Sequence, residues 1–348
     1  MRLHRLLLFV GLFPLFVSSP SIATVRDVPG SYATIQAALN ASTAGDQVLV
    51  APGVYHENLV FGTQQSGVAL ESSGGPAFTT IDGGVSGLSV VRFSKATGPG
   101  TRIEGFTLAN SAGNLGTLGG GISAGNSNLD VVGNIIRGNP AGVAGGIYFT
   151  HCTGSIVGNQ ILGNHAPAGS GGGIYIDQVS TVTIRGNVIA ENTCGGYGGG
   201  VTIWEGSAVQ LAENTIAGNT AAVAGGGLYV TRSSSVTCTN DIVAFNSLGG
   251  GVVIDATAGP MSFRCCDAFG NSPVNYSGIS NPPLSSGNIL ADPIFCDRSL
   301  GNYDLSGVSP CAPANSPGGC GRIGALPATC FVTPTIQTTW GRIKTRYR

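Results

Sequence analysis

Five stretches of the chain repeat one pattern: GNIIRGNPAGVAGGIYF (133–149), GNQILGNHAPAGSGGGIYI (158–176), GNVIAENTCGGYGGGVTI (186–203), ENTIAGNTAAVAGGGLYV (213–230) and NDIVAFNSLGGGVVI (240–254). Asn139, Asn164, Asn192, Asn219 and Asn246 recur at steps of 25, 28, 27 and 27 residues, and Gly146, Gly173, Gly200, Gly227 and Gly251 at 27, 27, 27 and 24. A weaker unit starts at Gly105, and looser coils precede it around 48–61, 68–82 and 89–108. A fixed period of this length marks a solenoid. Each unit holds three short apolar runs of 3–5 residues flanked by glycine, too short for helices, so each unit is one turn of three strands. Side chains alternate along a strand, so Ile147/Phe149, Ile174/Ile176, Val201/Ile203, Leu228/Val230 and Val252/Ile254 form one inward face. A single coil cannot bury that face; stacked coils bury it continuously at about 4.8 Å per rung. Parallel crossovers are right-handed, which predicts a right-handed parallel β-helix, an all-β solenoid. Glycine runs are expected at corners that need positive φ, and the asparagines are expected to bond corner backbone groups of their own or the next coil.

The flanks read differently. Tyr32 to Asn40 predicts a short amphipathic helix with Ile35, Ala38 and Leu39 as its apolar stripe, starting near Ser31 or Tyr32, and covering the first coil. Residues 1–23 have a basic start, an apolar run from Leu6 to Val17 and a small-x-small site at Ser21-Ile22-Ala23, which predicts a signal peptide and a secreted or cell-surface protein. The β-helix with its N-terminal cap is expected over 24–265, a cysteine-rich C-terminal cap over 266–330, and a basic tail over 331–348 carrying Arg342, Lys344, Arg346 and Arg348.

Composition narrows the function. The 348 residues include 57 Gly, far above the usual share, and only 9% charged residues. The net charge of −1 argues against a nucleic-acid partner, because phosphate neutralisation needs many cations. No segment beyond the leader reaches about 18 unbroken apolar residues, so no transmembrane segment is expected. Nine cysteines in an exported chain predict disulfides, with at least one thiol left over, and Cys311–Cys320, enclosing an eight-residue Pro/Gly loop, is the expected pair. Cys152 and Cys238 lie at different phases of the repeat and should not bond. Nothing in the sequence sets an oligomeric state.

The chain resembles the bacterial secreted right-handed parallel β-helix repeat proteins of pectin-lyase-like fold. The resemblance rests on Thr34-Ile35-Gln36-Ala37-Ala38, Gly45-Asp46 and Pro52-Gly53-Val54-Tyr55-His56-Glu57 at the start, on the Gly-Gly-Gly-Ile-Tyr repeat as at Gly171–Tyr175, and on Ala291–Asp297, Tyr303-Asp304-Leu305 and Ser309-Pro310-Cys311 at the end. It implies the fold over most of 24–330 and leaves the activity open, since such folds host lyases, hydrolases, esterases and adhesins. The opening segment is also similar to that of pectin methylesterases, but their Gln-Asp-Thr and Asp-Phe-Ile-Phe-Gly segments are absent, so the activity does not carry over. Arg342-Ile343-Lys344 matches a polygalacturonase triplet in three letters only, and lies beyond the coils.

Where each inward pair ends, the chain turns through Thr150/His151, Asp177/Gln178, Trp204/Glu205, Thr231/Arg232 and Asp255/Ala256. Stacking predicts a strip of His151, Asp177, Glu205, Arg232 and Asp255 beside an outward column of Tyr148, Tyr175, Thr202, Tyr229 and Val253, with Trp204 between them. Such a strip suits an extracellular polysaccharide: rings stack on sugars, and carboxylates with arginine bind hydroxyls or uronates. The catalytic alternative is a polysaccharide lyase or glycoside hydrolase, with Asp177 and Glu205 as an acid/base pair or Arg232 beside Glu205 as base and cation. A structural or adhesive surface protein, fixed to the envelope by its basic tail, is the third reading; stacked tyrosines and mixed charges at turns also suit an ordinary soluble sheet that binds nothing there. Calcium would need clustered oxygens, and Asp177, Glu205 and Asp255 spread over four rungs, so no cofactor or metal is expected.

Overall fold

The computed structural model describes residues 23–84, 87–282 and 284–330. The expected leader, but for Ala23, and the basic tail lie outside them. The repeat closes as the periodicity predicts, into a right-handed parallel β-helix. Three parallel sheets run its length among the described residues. Sheet 1 has ten strands from Val25–Val28 to Met261–Arg264, sheet 2 has nine from Gly53–His56 to Asp267–Phe269, and sheet 3 has nine from Leu59–Phe61 to Tyr276–Ser277. Short pairs at His165–Ala166, Thr193–Cys194 and Thr220–Ala221 add a fourth, three-stranded strip. The predicted inward pairs are all buried, in one continuous core from Val28 to Cys266.

Two ladders of buried amides hold the rungs in step. Asn139, Asn164, Asn192, Asn219, Asn246 and Asn271 form one, as the spacing suggests. From Asn164 onward each Oδ1 accepts both the backbone N–H and the side-chain N–H of the residue one coil earlier, as Asn192 does from Asn164 at 2.9 and 3.0 Å. The Nδ2 of each also donates to a backbone carbonyl of the preceding coil, Ile161 O for Asn192 at 2.9 Å. A second ladder, Asn134, Asn159, Asn187 and Asn214, runs beside it. It ends in Asp241, whose Oδ1 accepts both Asn214 N–H groups at 2.8 Å and whose Oδ2 accepts Thr239 N–H. A fully buried amide bonded this way avoids the cost of an unpaired polar group, about 1–3 kcal/mol each.

The glycine triplets serve two purposes, only one of which is the expected positive φ. In Gly198-Gly199-Gly200 the first residue turns at φ +65°. The third has ordinary φ, but a β-carbon on Gly200 would stand 2.6 Å from Gly227 O on the next rung. Close rung-to-rung approach, rather than backbone freedom, requires it.

At the N-terminus, α1 (Ile35–Ala41) covers the first coil with Ile35, Ala38 and Leu39 fully buried. It begins later than Ser31 or Tyr32: Thr34 caps it, its hydroxyl accepting Ala37 N–H. Glu57, reaching over from the coil, accepts the N–H groups of Ile35 and Gln36 at 2.9 Å each. A carboxylate there satisfies two orphan donors of the first turn.

The C-terminal segment does more than close the far end. After a partial coil through Asn288 and Ile289 it runs back along the side of the rod as a flap over the outer face of sheet 2. Tyr303 and Ala325 pack on Val188, Ala190 and Ala217; Leu305, Cys311 and Ile323 pack on Ile242 and Ala244. Asn240 Nδ2 donates to Cys320 O and Arg322 O, and Tyr303 Oη donates to Glu191 Oε1 at 2.8 Å.

The expected Cys311–Cys320 bond does not form. Cys320 pairs with Cys265, 55 residues earlier and 5.5 Å away between Cα atoms, and Cys296 pairs with Cys330. Nearness in sequence misled here, because the flap carries Cys320 back to a corner of the solenoid while Cys311 turns inward. The Cys311 thiol is fully buried and donates to Asp267 Oδ2 at 3.4 Å. Cys152 and Cys238 are free, as their phases require. Non-reducing peptide mapping should recover Cys265–Cys320 and Cys296–Cys330, and Cys311→Ala should leave both intact; a Cys311–Cys320 peptide would overturn this arrangement. Removing the Cys265–Cys320 bond should cost about 4 kcal/mol on the chain-entropy account for a loop of this length.

Burial pushes the carboxyls of Asp241 and Asp267 up to about 7, against 3.8 for the free group. The folded state therefore holds protons that the unfolded chain has lost between those values, so stability falls as pH rises from about 4 to about 7 and levels off above. Asp241→Asn returns a neutral amide to the ladder. It should remove Asp241's share of that fall, leaving the share of Asp267, and so raise stability at pH 8 relative to wild type. Melting curves across pH 4–8 check this, and an unchanged slope in the variant would refute it.

Candidate functional site

The outward column of sheet 3 is in the register expected: Tyr148, Tyr175, Thr202, Tyr229 and Val253 pair successively across adjacent rungs. Its rings form a continuous cluster. Tyr148 lies 5.7 Å from Tyr175 between centroids, Tyr175 lies 6.3 Å from Trp204, and Trp204 lies 6.1 Å from Tyr229. At the rung of Thr202 the small side chain leaves room that two rings fill. Trp204 is one. The other, Tyr197, stacks on Tyr229 at 4.6 Å and meets Trp204 at 6.0 Å. The Thr202 hydroxyl donates to Tyr197 O, tying that loop down. Tyr197 was not among the residues read from the sequence. Its rung equivalents are Ser170 and Ala224, so aligning the glycine loops would have exposed it as an aromatic insertion into a small-residue column. Tyr175 and Tyr229 are largely buried by their neighbours, which leaves Tyr148, Trp204 and Tyr197 as the half-exposed rings.

The charged strip resolves into two neighbouring columns. Thr150 and Asp177 end their strands, Trp204, Thr231 and Asp255 directly follow theirs, and by alternation all five fall on the outward side with the tyrosines. His151, Gln178, Glu205 and Arg232 follow them at a corner where all four adopt φ between +45° and +51°. Asp177 and Glu205 are thus one position out of line. Asp177, almost fully buried, accepts Tyr148 Oη at 3.0 Å and Gln178 N–H at 2.9 Å. Burial raises its carboxyl above the usual range, those two hydrogen bonds pull the other way, and the Glu205 carboxylate adds to the rise. Burial likewise pushes the Tyr148 and Tyr175 hydroxyls well up. Glu205 bonds Arg232 at 2.9 Å, and the Arg232 guanidinium lies 4.9 Å over the Trp204 ring. Asp255 accepts the hydroxyl and N–H of Thr257, which hold its carboxyl below the usual range. His151 is exposed and stands off the rings, 3.3 Å from Thr150 Oγ1. The structure therefore joins Tyr148 with Asp177, and Trp204 with Glu205 and Arg232, and leaves His151 and Asp255 at the margins.

Among the described residues, no three His, Cys, Asp or Glu side chains are arranged to hold a metal ion. No described helix is long and apolar enough to cross a membrane.

Residues 120–289 match the family model described as a right-handed β-helix region. Among solved structures, a pectin methylesterase from carrot is 14% identical, covering 79% of this chain and 91% of its own at a TM-score of 0.32. A deglycosylated pectin methylesterase from Aspergillus niger is 15% identical, covering 79% and 92% at a TM-score of 0.28. No curated protein matches the chain.

The Asp177 environment gives a test of this geometry. Tyr148→Phe removes a hydrogen bond to the charged form and should raise the Asp177 pKa further; Glu205→Gln removes a like charge and should lower it. Carboxyl carbon NMR titrations read both directions, and two unmoved midpoints would contradict the contacts described.

Proposed function

We propose that this is an exported protein that binds extracellular polysaccharide along the aromatic face of sheet 3 without turning it over. The observation that supports it most is the unbroken run of rings from Tyr148 to Tyr229, with Trp204 at its centre carrying Arg232 on one face. Aromatic rings offer flat apolar area to sugar faces, and the polar groups beside them supply directed hydrogen bonds. The rung repeat spaces such contacts at about 4.8 Å along the rod, which suits an extended polymer better than a compact ligand. Two disulfides fit an oxidising compartment, in keeping with the leader-like start of the sequence.

The state of the carboxylates favours binding over catalysis. Glu205 is neutralised by Arg232 in the open, where a catalytic base would be left free to take a proton. One observation favours a hydrolase or lyase as second reading: Asp177 is biased toward its protonated form, as a general acid would be. A panel of uronate-containing and neutral glycans separates the two. Binding without new reducing ends or unsaturated products is the expected result, and either product would establish an enzyme. Trp204→Ala and Tyr148→Ala should each weaken glycan binding by about tenfold, while His151→Ala leaves it unchanged. Unaltered affinity in both aromatic variants would remove the strip from consideration.

A further inference from the structure

The flap and sheet 2 enclose an open cleft of about 650 Å³ on a different side of the rod from the aromatic strip. Glu191, Thr220, Phe245 and Ser247 line it from the solenoid, and Arg298 and Ser299 from the flap. We propose that this cleft is a second ligand site, which takes a carboxylate bearing several hydroxyls, of the uronic-acid class. The inference is independent of the polysaccharide reading of sheet 3.

The key group is Arg298. Its guanidinium carbon sits 4.0 Å over the Phe245 ring, and Phe245 is itself packed edge-on by Phe269 and Phe295 at 5.7 and 6.2 Å. The ring contact restrains the side chain, so less freedom is lost when the guanidinium closes on a carboxylate. Arg298, like Arg92, Arg137, Arg264 and Arg322, forms no ion pair among the described residues; what sets it apart from those four is its contact with a ring at the edge of the cleft. Its neighbour Asp297 is turned to its own short helix, accepting Leu300 N–H and the Ser299 hydroxyl. The guanidinium is thus held in place and left without a counter-ion at the edge of a cavity.

The rest of the lining suits hydroxyls. Glu191 is held by the Tyr303 hydroxyl at 2.8 Å, with acceptor capacity to spare for ligand O–H groups. The Thr220 and Ser247 hydroxyls, on successive rungs, lie 2.8 Å apart. An anionic carboxylate is drawn to Arg298 and repelled by Glu191, so the charges set which end of the ligand goes where. The volume lies in the range of small-molecule sites.

Calorimetric titration of the full chain with digalacturonate, galacturonate and neutral galactobiose tests this. Digalacturonate should bind wild type at least tenfold more tightly than galactobiose does, and Arg298→Gln should lose at least tenfold. Arg298 is exposed, so the melting temperature should hold and verify that the variant folds. Arg264→Gln, which removes an exposed cation from sheet 1, should leave the digalacturonate affinity unchanged. Binding of galacturonate alone would identify a free acid as sufficient; binding of only the dimer would identify a polymer unit. Equal affinity in Arg298→Gln and wild type, equal affinity for galactobiose, no measurable binding of either acid, or loss in Arg264→Gln in place of Arg298→Gln would each overturn the proposal. Failure of glycan binding at sheet 3 would not touch it.

Discussion

Rung-to-rung hydrogen bonding along the rod is the constraint on which everything else depends. Backbone pairing alone would let a short strand slip by one residue and turn its apolar set outward. The buried amides prevent this, because each asparagine has donors and acceptors matched to one position on the coil before and one on the coil after. The steps between ladder residues vary from 25 to 28, yet the paired residues stay in register. Loop length is therefore free wherever the ladders hold, and the aromatic column on sheet 3 inherits its alignment from them.

Much of this was legible in the primary structure. The period gave the coil, alternation gave the inward face, and the same stacking argument placed Tyr148, Tyr175, Thr202, Tyr229 and Val253 in one column. The second ladder was visible too, in the Gly-Asn pairs at Asn134, Asn159 and Asn187, but one ladder was enough to explain the spacing. What stayed hidden involves contacts that no period reports. Tyr197 has small residues, Ser170 and Ala224, at its rung equivalents, so the period sets its place but not the rings it meets. The one-position offset between Asp177 and Glu205 depends on where the strand ends and the left-handed corner begins. The flap folds back over residues more than 40 positions away in sequence, so neither the pairing of Cys320 with Cys265 nor the meeting of Arg298 with Phe245 follows from local pattern.

The flap also explains an oddity of sheet 2. Its outward residues Val188, Ala190, Ala217, Ile242 and Ala244 are apolar, where a solvent-facing strand would alternate to polar ones. They are a landing surface for Tyr303, Leu305, Ile323 and Ala325. The three sheets consequently differ in what they offer: sheet 2 is covered, sheet 3 is aromatic, and sheet 1 presents threonine, serine and glutamine such as Thr183, Gln210 and Thr237.

The ladders carry a mechanical consequence. Tension along the axis loads three sheets and, at the junctions the ladders span, two amide columns side by side, so many bonds must yield together before two neighbouring turns part. Unwinding from either end meets one strand at a time. A protein built this way is stiff against stretching and weakest at its tips, where α1 at one end and the Cys265–Cys320 bond at the other guard against fraying.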